Sequence, residues 1–334
     1  MKRTNENKKK KFKLFDMNRD GKGVYETESR KPNLIFFFKL FFRKFTQLLQ
    51  LNLLMLLMVI PILVVLFIFL LGEKTPTATS AIYAPLYGIN ALIDAPSAAA
   101  MLDLSFIQMG LPVFSPAINF TIIAMVIVLA ATWGWQNVGS AYVLRGLFRG
   151  DPVFVFSDYI YGIKKNFWQA FFLGLIDFIC TGVLVVDFLY FYNLTGSFGF
   201  DFMYIAILAL SIIWLMMRFY IYNLLVTFNL KNLKILKNAL IFSILGIARN
   251  IVALIGIALL LAVHIFLIVL LLPYGISIPL VLPFVYVIAT IGFIATFAAF
   301  PVIEKYMITP ALVNESSEEI DELAAETEAS EEDQ

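Results

Sequence analysis

Cysteine, histidine and charge are all scarce in this sequence. Its 334 residues include one cysteine, Cys180, and one histidine, His264. A single cysteine excludes an internal disulfide and a zinc site built from thiolates. A single histidine excludes a pair of histidine metal ligands and argues against histidine-based acid–base catalysis. Phosphate-binding glycine loops, zinc-protease helices and nucleophile elbows are missing too, so we predict no cofactor, no metal and no enzymatic activity.

The low charge content comes with a large apolar excess. Charged residues make up 15% of the chain and the apolar set 60%, whereas a soluble domain is typically about 25% charged and about 45–50% apolar. A water-soluble globule of this size cannot bury so much apolar surface. We therefore predict an integral membrane protein that contacts the lipid bilayer. Nucleic-acid binding is not predicted, because the N-terminal bases have no aromatic platform beside them.

Six predominantly apolar stretches are long enough to cross the hydrocarbon layer, which takes about 20 apolar residues. The last two come from one uncharged run of 54 residues between Arg249 and Glu304. Pro273-Tyr274-Gly275 supplies the turn between them. The predicted fold is therefore all-α, with six transmembrane helices. The spans are residues 47–71, 119–143, 167–192 and 202–228, followed by the two halves of residues 250–303.

Lysine and arginine are distributed very unevenly about these spans. Six spans place both termini on one side. If Arg218 of span 4 is counted with its nearer loop, 24 of the 25 lysines and arginines share that side, and only Lys74 lies opposite. Because basic segments stay in the cytoplasm, both termini are predicted to be cytoplasmic. The membrane domain, residues 33–306, follows a basic segment, residues 1–32. It precedes an acidic tail, residues 307–334, that is predicted to be disordered.

Short helices are predicted at the lipid surface ahead of three spans. The first covers residues 34–46. The second is suited to begin at Asp151 and Pro152 and to run to Ile163, and the third lies in residues 231–246. Basic side chains beside these helices are expected to anchor them among anionic headgroups. The predicted anchors are Lys39, Arg43, Lys44, Lys164, Lys165 and Arg249.

A short pattern recurs before two of the spans. The segments Gly162-Ile163-Lys164-Lys165-Asn166 and Gly246-Ile247-Ala248-Arg249-Asn250 match at an offset of 84 residues. The match suggests that spans 3–4 and spans 5–6 are repeated helical hairpins. Internal repeats are common in transporters, but a duplicated structural hairpin would give the same signal.

Several short motifs resemble the YesL-like family of bacterial membrane proteins. The resemblance covers roughly residues 20–310 and implies a bacterial inner-membrane location, a six-span body and a loose association with carbohydrate uptake. It implies no established activity, so no catalytic residue is carried over. The motifs are Gly21-Lys22-Gly23-Val24, Lys31-Pro32, Arg43-Lys44-Phe45, Leu51-Asn52-Leu53-Leu54, Ile60-Pro61, Lys165-Asn166 and Arg249-Asn250.

Two charged residues fall within the predicted spans at matching depth. Asp177 lies ten residues past Phe167, which is roughly 15 Å at 1.5 Å per residue. Arg218 is the only base well inside a span, on the neighbouring antiparallel helix. We predict that Asp177 and Arg218 form an ion pair, because an isolated charge there costs about 2.5–3.5 kcal/mol. The pair is either a structural clamp or a substrate or proton site.

Other polar side chains are concentrated in the cytoplasmic half of the spans. They either line a cavity together with Asp177 and Arg218, or bond helices to one another in lipid. His264 is expected to be a hydrogen-bonded packing residue. Trp133 is expected to lie near the inner interface. The polar side chains in question are Asn52, Gln136, Asn137, Ser140 and Asn223.

Three functions are compatible with this sequence. The first is an association with transport, either as a carrier or as an accessory component of carbohydrate uptake with a cytoplasmic or membrane partner. The second is a non-catalytic membrane scaffold or sensor. The third and weakest is a membrane-embedded enzyme with Asp177 as its acid or base, since no second catalytic group is evident. The sequence does not identify a small-molecule substrate.

Overall fold

The computed structural model describes residues 32–71, 75–76, 112–113, 116–194 and 196–311. The sequence predictions for the basic segment 1–31, for almost all of the loop 72–115 and for the tail from residue 312 lie outside these ranges. The described chain is built from helices. One antiparallel pair of two-residue strands, β1 (Thr75–Pro76) and β2 (Pro112–Val113), joins the two ends of the long loop.

The helices follow the predicted order, and six within the described ranges are long and apolar enough to cross a membrane. The sixth span is interrupted by two π-helical turns, and a 3-10 turn precedes it. In chain order the elements are α1 (Leu34–Arg43), α2 (Phe45–Leu71), α3 (Pro116–Arg149), α4 (Val155–Lys165), α5 (Phe167–Asn193), α6 (Phe198–Thr227), α7 (Asn232–Leu245), α8 (Ile247–Leu271), the 3-10 turn Leu272–Tyr274, α9 (Ile278–Leu282), the π turn Pro283–Val287, α10 (Ile288–Ile303) and the π turn Glu304–Ile308.

The prediction of an all-α, six-span membrane protein is confirmed. Several helix boundaries differ from the prediction, most of all at the ends of α3 and of the last span. Helix α3 extends past the predicted end at residue 143 to Arg149, because a helix need not stop where the hydrocarbon ends. It stops at Gly150, whose φ of 80° is the left-handed conformation that glycine adopts without strain. The last span continues to Ala311.

The predicted start of α4 at Asp151 and Pro152 is wrong. The helix begins at Val155, and the carboxylate of Asp158 accepts a hydrogen bond of 2.8 Å from the backbone N–H of Phe154. An acid in the first turn therefore satisfies the free donor at the helix start, which is the role assigned to Asp151. Asp151 instead lies 3.7 Å from Arg149 in an exposed ion pair.

Three spans are each preceded by a short helix and a single non-helical residue. The breaks are Lys44 (φ −104°, ψ 10°), Asn166 (φ −117°, ψ 23°) and Gly246 (φ −94°, ψ 15°). Their backbone conformations are nearly the same, and so the chain turns in the same way before α2, α5 and α8. A unit of short helix, break and span thus occurs three times, at the three spans for which the sequence predicts a preceding helix, whereas the sequence motif recurs before only two of them.

The structural repeat is displaced from the sequence motif. The matching segments align Gly162 with Gly246 and Asn166 with Asn250. The first break falls at Asn166, the last residue of its motif, but the second falls at Gly246, the first residue of its motif. Asn250 consequently lies inside α8, where it is fully buried and accepts a hydrogen bond from the Tyr220 hydroxyl.

Helix α3 lies at the centre of the bundle, in contact with α2, α4, α5, α6 and α10. Helix α10 contacts α2, α3, α6 and α8, and so closes the bundle on the other side. Large apolar side chains remain exposed along the outer faces of the spans, as expected of surfaces that face lipid.

Apart from Arg218, the described bases are gathered at one end of the bundle. Successive spans run in opposite directions, so the ends of α3, α6 and α10 meet the starts of α5 and α8. We call this the base-rich end. Its bases include Lys39, Arg43, Lys44, Arg145, Arg149, Lys164, Lys165, Lys231, Lys234, Lys237, Arg249 and Lys305.

Candidate functional site

The carboxylate of Asp177 is buried where α3 and α5 cross. A Cβ atom added to Gly134 or to Gly174 would overlap the backbone of the other helix, so the two helices touch through their main chains at this level. Asp177 follows Gly174 by about one turn and is 1% exposed. The glycine contact therefore brings the carboxylate beside the side chains of α3.

Four side chains from three helices surround this carboxylate. Arg218 on α6 places Nε 3.0 Å from Oδ1, so the structure contains the predicted ion pair. Trp133 Nε1 donates to Oδ2 at 2.7 Å, and the Tyr222 hydroxyl donates to the same oxygen at 2.8 Å. The Thr181 hydroxyl, one turn along α5, donates to Oδ1 at 3.3 Å. We call these five residues the Asp177 group.

Two further contacts support the Asp177 group. The guanidinium carbon of Arg218 lies 5.3 Å from the centre of the Trp133 ring, a distance at which a cation is attracted to an aromatic face. Trp214 Nε1 donates to the Thr181 hydroxyl at 3.0 Å. A carboxylate offers about four lone-pair positions, and four side chains donate here. Its acceptor capacity is therefore filled, and the group ties α3, α5 and α6 together.

The sequence reasoning missed most of these partners. Trp133 was assigned to the inner interface, yet its indole donates to the buried carboxylate. Its neighbour Trp135 is closer to that assignment, since it donates to the backbone oxygen of Phe167 at the start of α5. The spacing held a usable signal: Thr181 follows Asp177, and Tyr222 follows Arg218, by four residues, which places each pair on one helix face.

Asn52 bonds α2 to the last span, which is the second of the two roles that the sequence allowed for it, at a junction separate from the Asp177 group. It is fully buried on α2. Its Nδ2 donates to the Phe284 oxygen at 2.6 Å, and its Oδ1 accepts from the Ala289 N–H at 2.8 Å. These two backbone groups are five residues apart at the π turn of the last span. The amide of Asn52 thus bridges an irregular turn that lipid could not satisfy.

A second polar contact lies beside the same π turn. His264 Nδ1 is 2.7 Å from the Leu260 oxygen, and the Tyr286 hydroxyl is 2.9 Å from His264 Nε2. A carbonyl can only accept, so Nδ1 carries the proton and Nε2 accepts from Tyr286. His264 is 3% exposed. Its hydrogen bonds are those of a packing residue, as expected.

The remaining predicted cavity residues bond mainly to their own helices. Asn137 donates to the Trp133 oxygen at 2.8 Å, and Ser140 donates to the Asn137 oxygen at 2.9 Å. Asn223 donates to the Phe219 oxygen at 2.7 Å and, at 3.4 Å, to the Thr296 hydroxyl of α10.

Two side-chain oxygens of the predicted polar residues accept no hydrogen bond within the described ranges. Asn223 Oδ1 and Gln136 Oε1 are buried and have no hydrogen-bond partner in the described part of the chain. They mark places where bound water would be favoured.

The predicted anchors all lie at the base-rich end. Lys39, Arg43, Lys164 and Lys165 are exposed. Arg249 is partly buried and donates to the Pro32 oxygen at 3.4 Å. Two residues outside the predicted set also act here: Arg145 donates to the Val226 oxygen near the end of α6, and Gln169 donates to the Leu230 oxygen just beyond it.

The arrangement defines an α-helical, multi-pass integral membrane protein whose polar interior joins helices. Within the described residues there is no cluster of three histidine, cysteine or acidic side chains that could hold a metal ion. No family model, curated protein or solved structure matches this chain.

Proposed function

We propose that this protein is a non-catalytic accessory component of a bacterial solute-uptake system and does not itself carry the solute. Carbohydrate is the class of solute that the YesL-like resemblance implies. The proposed location is the bacterial inner membrane, with the base-rich end and both termini in the cytoplasm.

The observation that supports an accessory role is the saturation of Asp177. A carrier needs a central group that binds and releases its substrate or coupling ion. Here the central carboxylate already accepts from Arg218, Trp133, Tyr222 and Thr181. A substrate would have to break this group and separate three packed helices.

The base-rich end offers a surface for a protein partner. Helix α4 lies there, outside the spans. The side chains of Phe154, just before the helix, and of Phe156 and Tyr161 within it are 76%, 69% and 51% exposed. Exposed aromatic residues are enriched at protein interfaces. A scaffold or sensor would use the same surface, and so the uptake assay below has to separate these functions.

The first experiment tests for carrier activity. Purified protein is reconstituted into proteoliposomes and exposed to radiolabelled mono- and oligosaccharides. We expect no uptake above protein-free vesicles. Saturable uptake that Asp177→Asn abolishes, without loss of the folded fraction, would show that the protein is a carrier.

The second experiment tests for the accessory role in cells. Deleting the gene should lower the uptake of at least one sugar, and the intact protein should restore it. The variant Phe154→Ser/Phe156→Ser should fail to restore uptake. The control Phe198→Ser changes an aromatic that is 89% exposed at the opposite end, and it should restore uptake at equal abundance in the membrane. Unchanged sugar uptake in the deletion strain would contradict the uptake role and leave the scaffold or sensor.

A further inference from the structure

A cleft of about 580 Å³ opens at the base-rich end, between the start of α8 and the end of the last span. Arg249 lines it from the first turn of α8, and Glu304, Lys305 and Tyr306 line it from the turn after α10. The volume is that of a small-molecule site, typically about 300–1,000 Å³. None of the Asp177 group lines this cleft, so it is a separate place where a ligand could bind.

Two cations line the cleft, and Lys305 Nζ also lies 5.0 Å from the centre of the Tyr306 ring. Neither Arg249 nor Lys305 lies within 4 Å of a carboxylate oxygen in the described ranges. Arg249 gives one hydrogen bond, to the Pro32 oxygen, and a guanidinium carries five N–H donors. A guanidinium beside an ammonium is a favourable pair for a phosphate group.

The cleft continues into an apolar surface. Ala248 lines the cleft, and Val252 and Ile255 follow it on the same face of α8 at helical spacing. These two side chains are 55% and 62% exposed. A ligand with a phosphate at one end and hydrocarbon at the other would use both surfaces, whereas a free phosphate would use only the first.

The carboxylate of Glu304 limits which polar groups a ligand of this cleft can carry beside its phosphate. It lines this cleft and also a neighbouring one of about 290 Å³ formed with Phe36, Phe148 and Arg149. A carboxylate beside two cations accepts hydrogen bonds, so the ligand should carry donors as well as a phosphate. Glycerol hydroxyls supply such donors and add no charge.

We propose that this cleft is a phospholipid site selective for phosphatidylglycerol. The lipid phosphate binds Arg249 and Lys305, the glycerol hydroxyls donate to Glu304, and the acyl chains lie along Val252 and Ile255. Basic clefts between transmembrane helices at the cytoplasmic side are suited to anionic headgroups.

The test is a lipid titration of the full-length protein in detergent micelles, read out by thermal unfolding. Phosphatidylglycerol should raise the unfolding midpoint, because a ligand that binds the folded state stabilises it. The variant Arg249→Gln/Lys305→Gln should weaken the apparent affinity at least ~10-fold. The control Lys234→Gln/Lys237→Gln removes two exposed bases of α7 from the same end outside the cleft, and it should change the affinity less than ~3-fold.

Two further variants keep the test decisive if the glutamine pair does not fold. Arg249→Lys/Lys305→Arg preserves both charges and should retain the response to phosphatidylglycerol. Glu304→Gln should remove the preference for phosphatidylglycerol over phosphatidic acid, which has no glycerol hydroxyls. The proposal is overturned if phosphatidylcholine or inorganic phosphate stabilises the protein as strongly, if a folded glutamine pair binds as the parent does, or if Glu304→Gln keeps the preference.

Discussion

Trp133 and Asp177 are joined by a hydrogen bond of 2.7 Å between two helices that touch backbone to backbone. The contact is made by Gly134, the residue after Trp133, and by Gly174, about one turn before Asp177. The closeness of the helices and the burial of the carboxylate therefore have one cause. A larger residue at the crossing would move the indole away from the acid.

The glycine crossing should not tolerate even one methyl group. Gly134→Ala and Gly174→Ala would each force α3 and α5 apart, at a cost of roughly 1–3 kcal/mol in the free energy of unfolding. Denaturant titration in detergent would measure this. Gly182→Ala on the same helix is the control, since nothing lies within 4 Å of its added Cβ. Equal effects at Gly174 and Gly182 would contradict the close contact.

Removing one partner of the ion pair should cost more than removing both charges. Arg218→Gln leaves the Asp177 carboxylate, which is 1% exposed, without its cation, and should lower the free energy of unfolding by about 3 kcal/mol. Adding Asp177→Asn to that variant should recover part of the loss.

The control for the ion pair is Asp187→Asn on the same helix, a half-buried acid outside the Asp177 group. It should have little effect on the free energy of unfolding. A double variant that is as unstable as the sum of its single changes would show that the two charges do not interact.

Replacing Asn52 should destabilise the protein by more than the loss of one hydrogen bond, because its amide makes two to the last span. Asn52→Leu would leave the Phe284 oxygen and the Ala289 N–H without the side-chain bonds they now make, at about 1–3 kcal/mol each. Amide hydrogen exchange of residues 284–289 should then become faster. Gln50→Leu, an exposed position on the same helix, should leave this exchange unchanged. Protection that survives Asn52→Leu would mean that the π turn does not depend on the bridge.

Removing the hydroxyl of Tyr159 on α4 should raise the free energy of unfolding, whereas the substitutions above should lower it. Burial raises the pKa of the Tyr159 hydroxyl, and its buried oxygen has no hydrogen-bond partner among the described residues. The neutral form is thus favoured in the folded state. Below the ordinary tyrosine pKa, near ~10, the hydroxyl is neutral in both states and the free energy of unfolding does not depend on its ionisation. As the pH rises above that value, the unfolded state loses this proton first, and the free energy of unfolding falls.

Tyr159→Phe should therefore stabilise the protein by about 1 kcal/mol at neutral pH and reduce the loss of stability at alkaline pH. Thermal unfolding at pH values on both sides of the tyrosine range would test this. Tyr161→Phe, 51% exposed two residues away, is the matched control. A destabilising effect of Tyr159→Phe would indicate that the hydroxyl has a partner, such as bound water.

The orientation of the bundle remains a prediction that labelling can decide. With Cys180 replaced by serine, single cysteines at Lys234 and Lys74 are treated with a membrane-impermeant thiol reagent in intact cells. We expect reaction at Lys74 only, because 24 of the 25 lysines and arginines are predicted to be cytoplasmic. Reaction at Lys234 alone would invert the topology and move the proposed lipid site to the outer face.

Sequence patterns predicted the parts of this protein that depend on composition. Long apolar runs predicted the six spans, and equal depth on adjacent helices predicted that Asp177 and Arg218 meet. They left open the contacts that depend on the helix face. For Asn52 the sequence allowed either a cavity shared with Asp177 or a bond between helices, and its side chain makes the second, to the last span.

Hydrophobicity and charge by themselves determined that the chain is helical and threads the membrane, because lipid satisfies no backbone group and excludes charge. Only the tertiary structure decided what the polar interior does. The partners of Asp177 come from α3, α5 and α6, and the bridge at Asn52 joins residues 237 positions apart. Such contacts depend on how helices cross and rotate, and these are set by packing between side chains that are distant in the sequence.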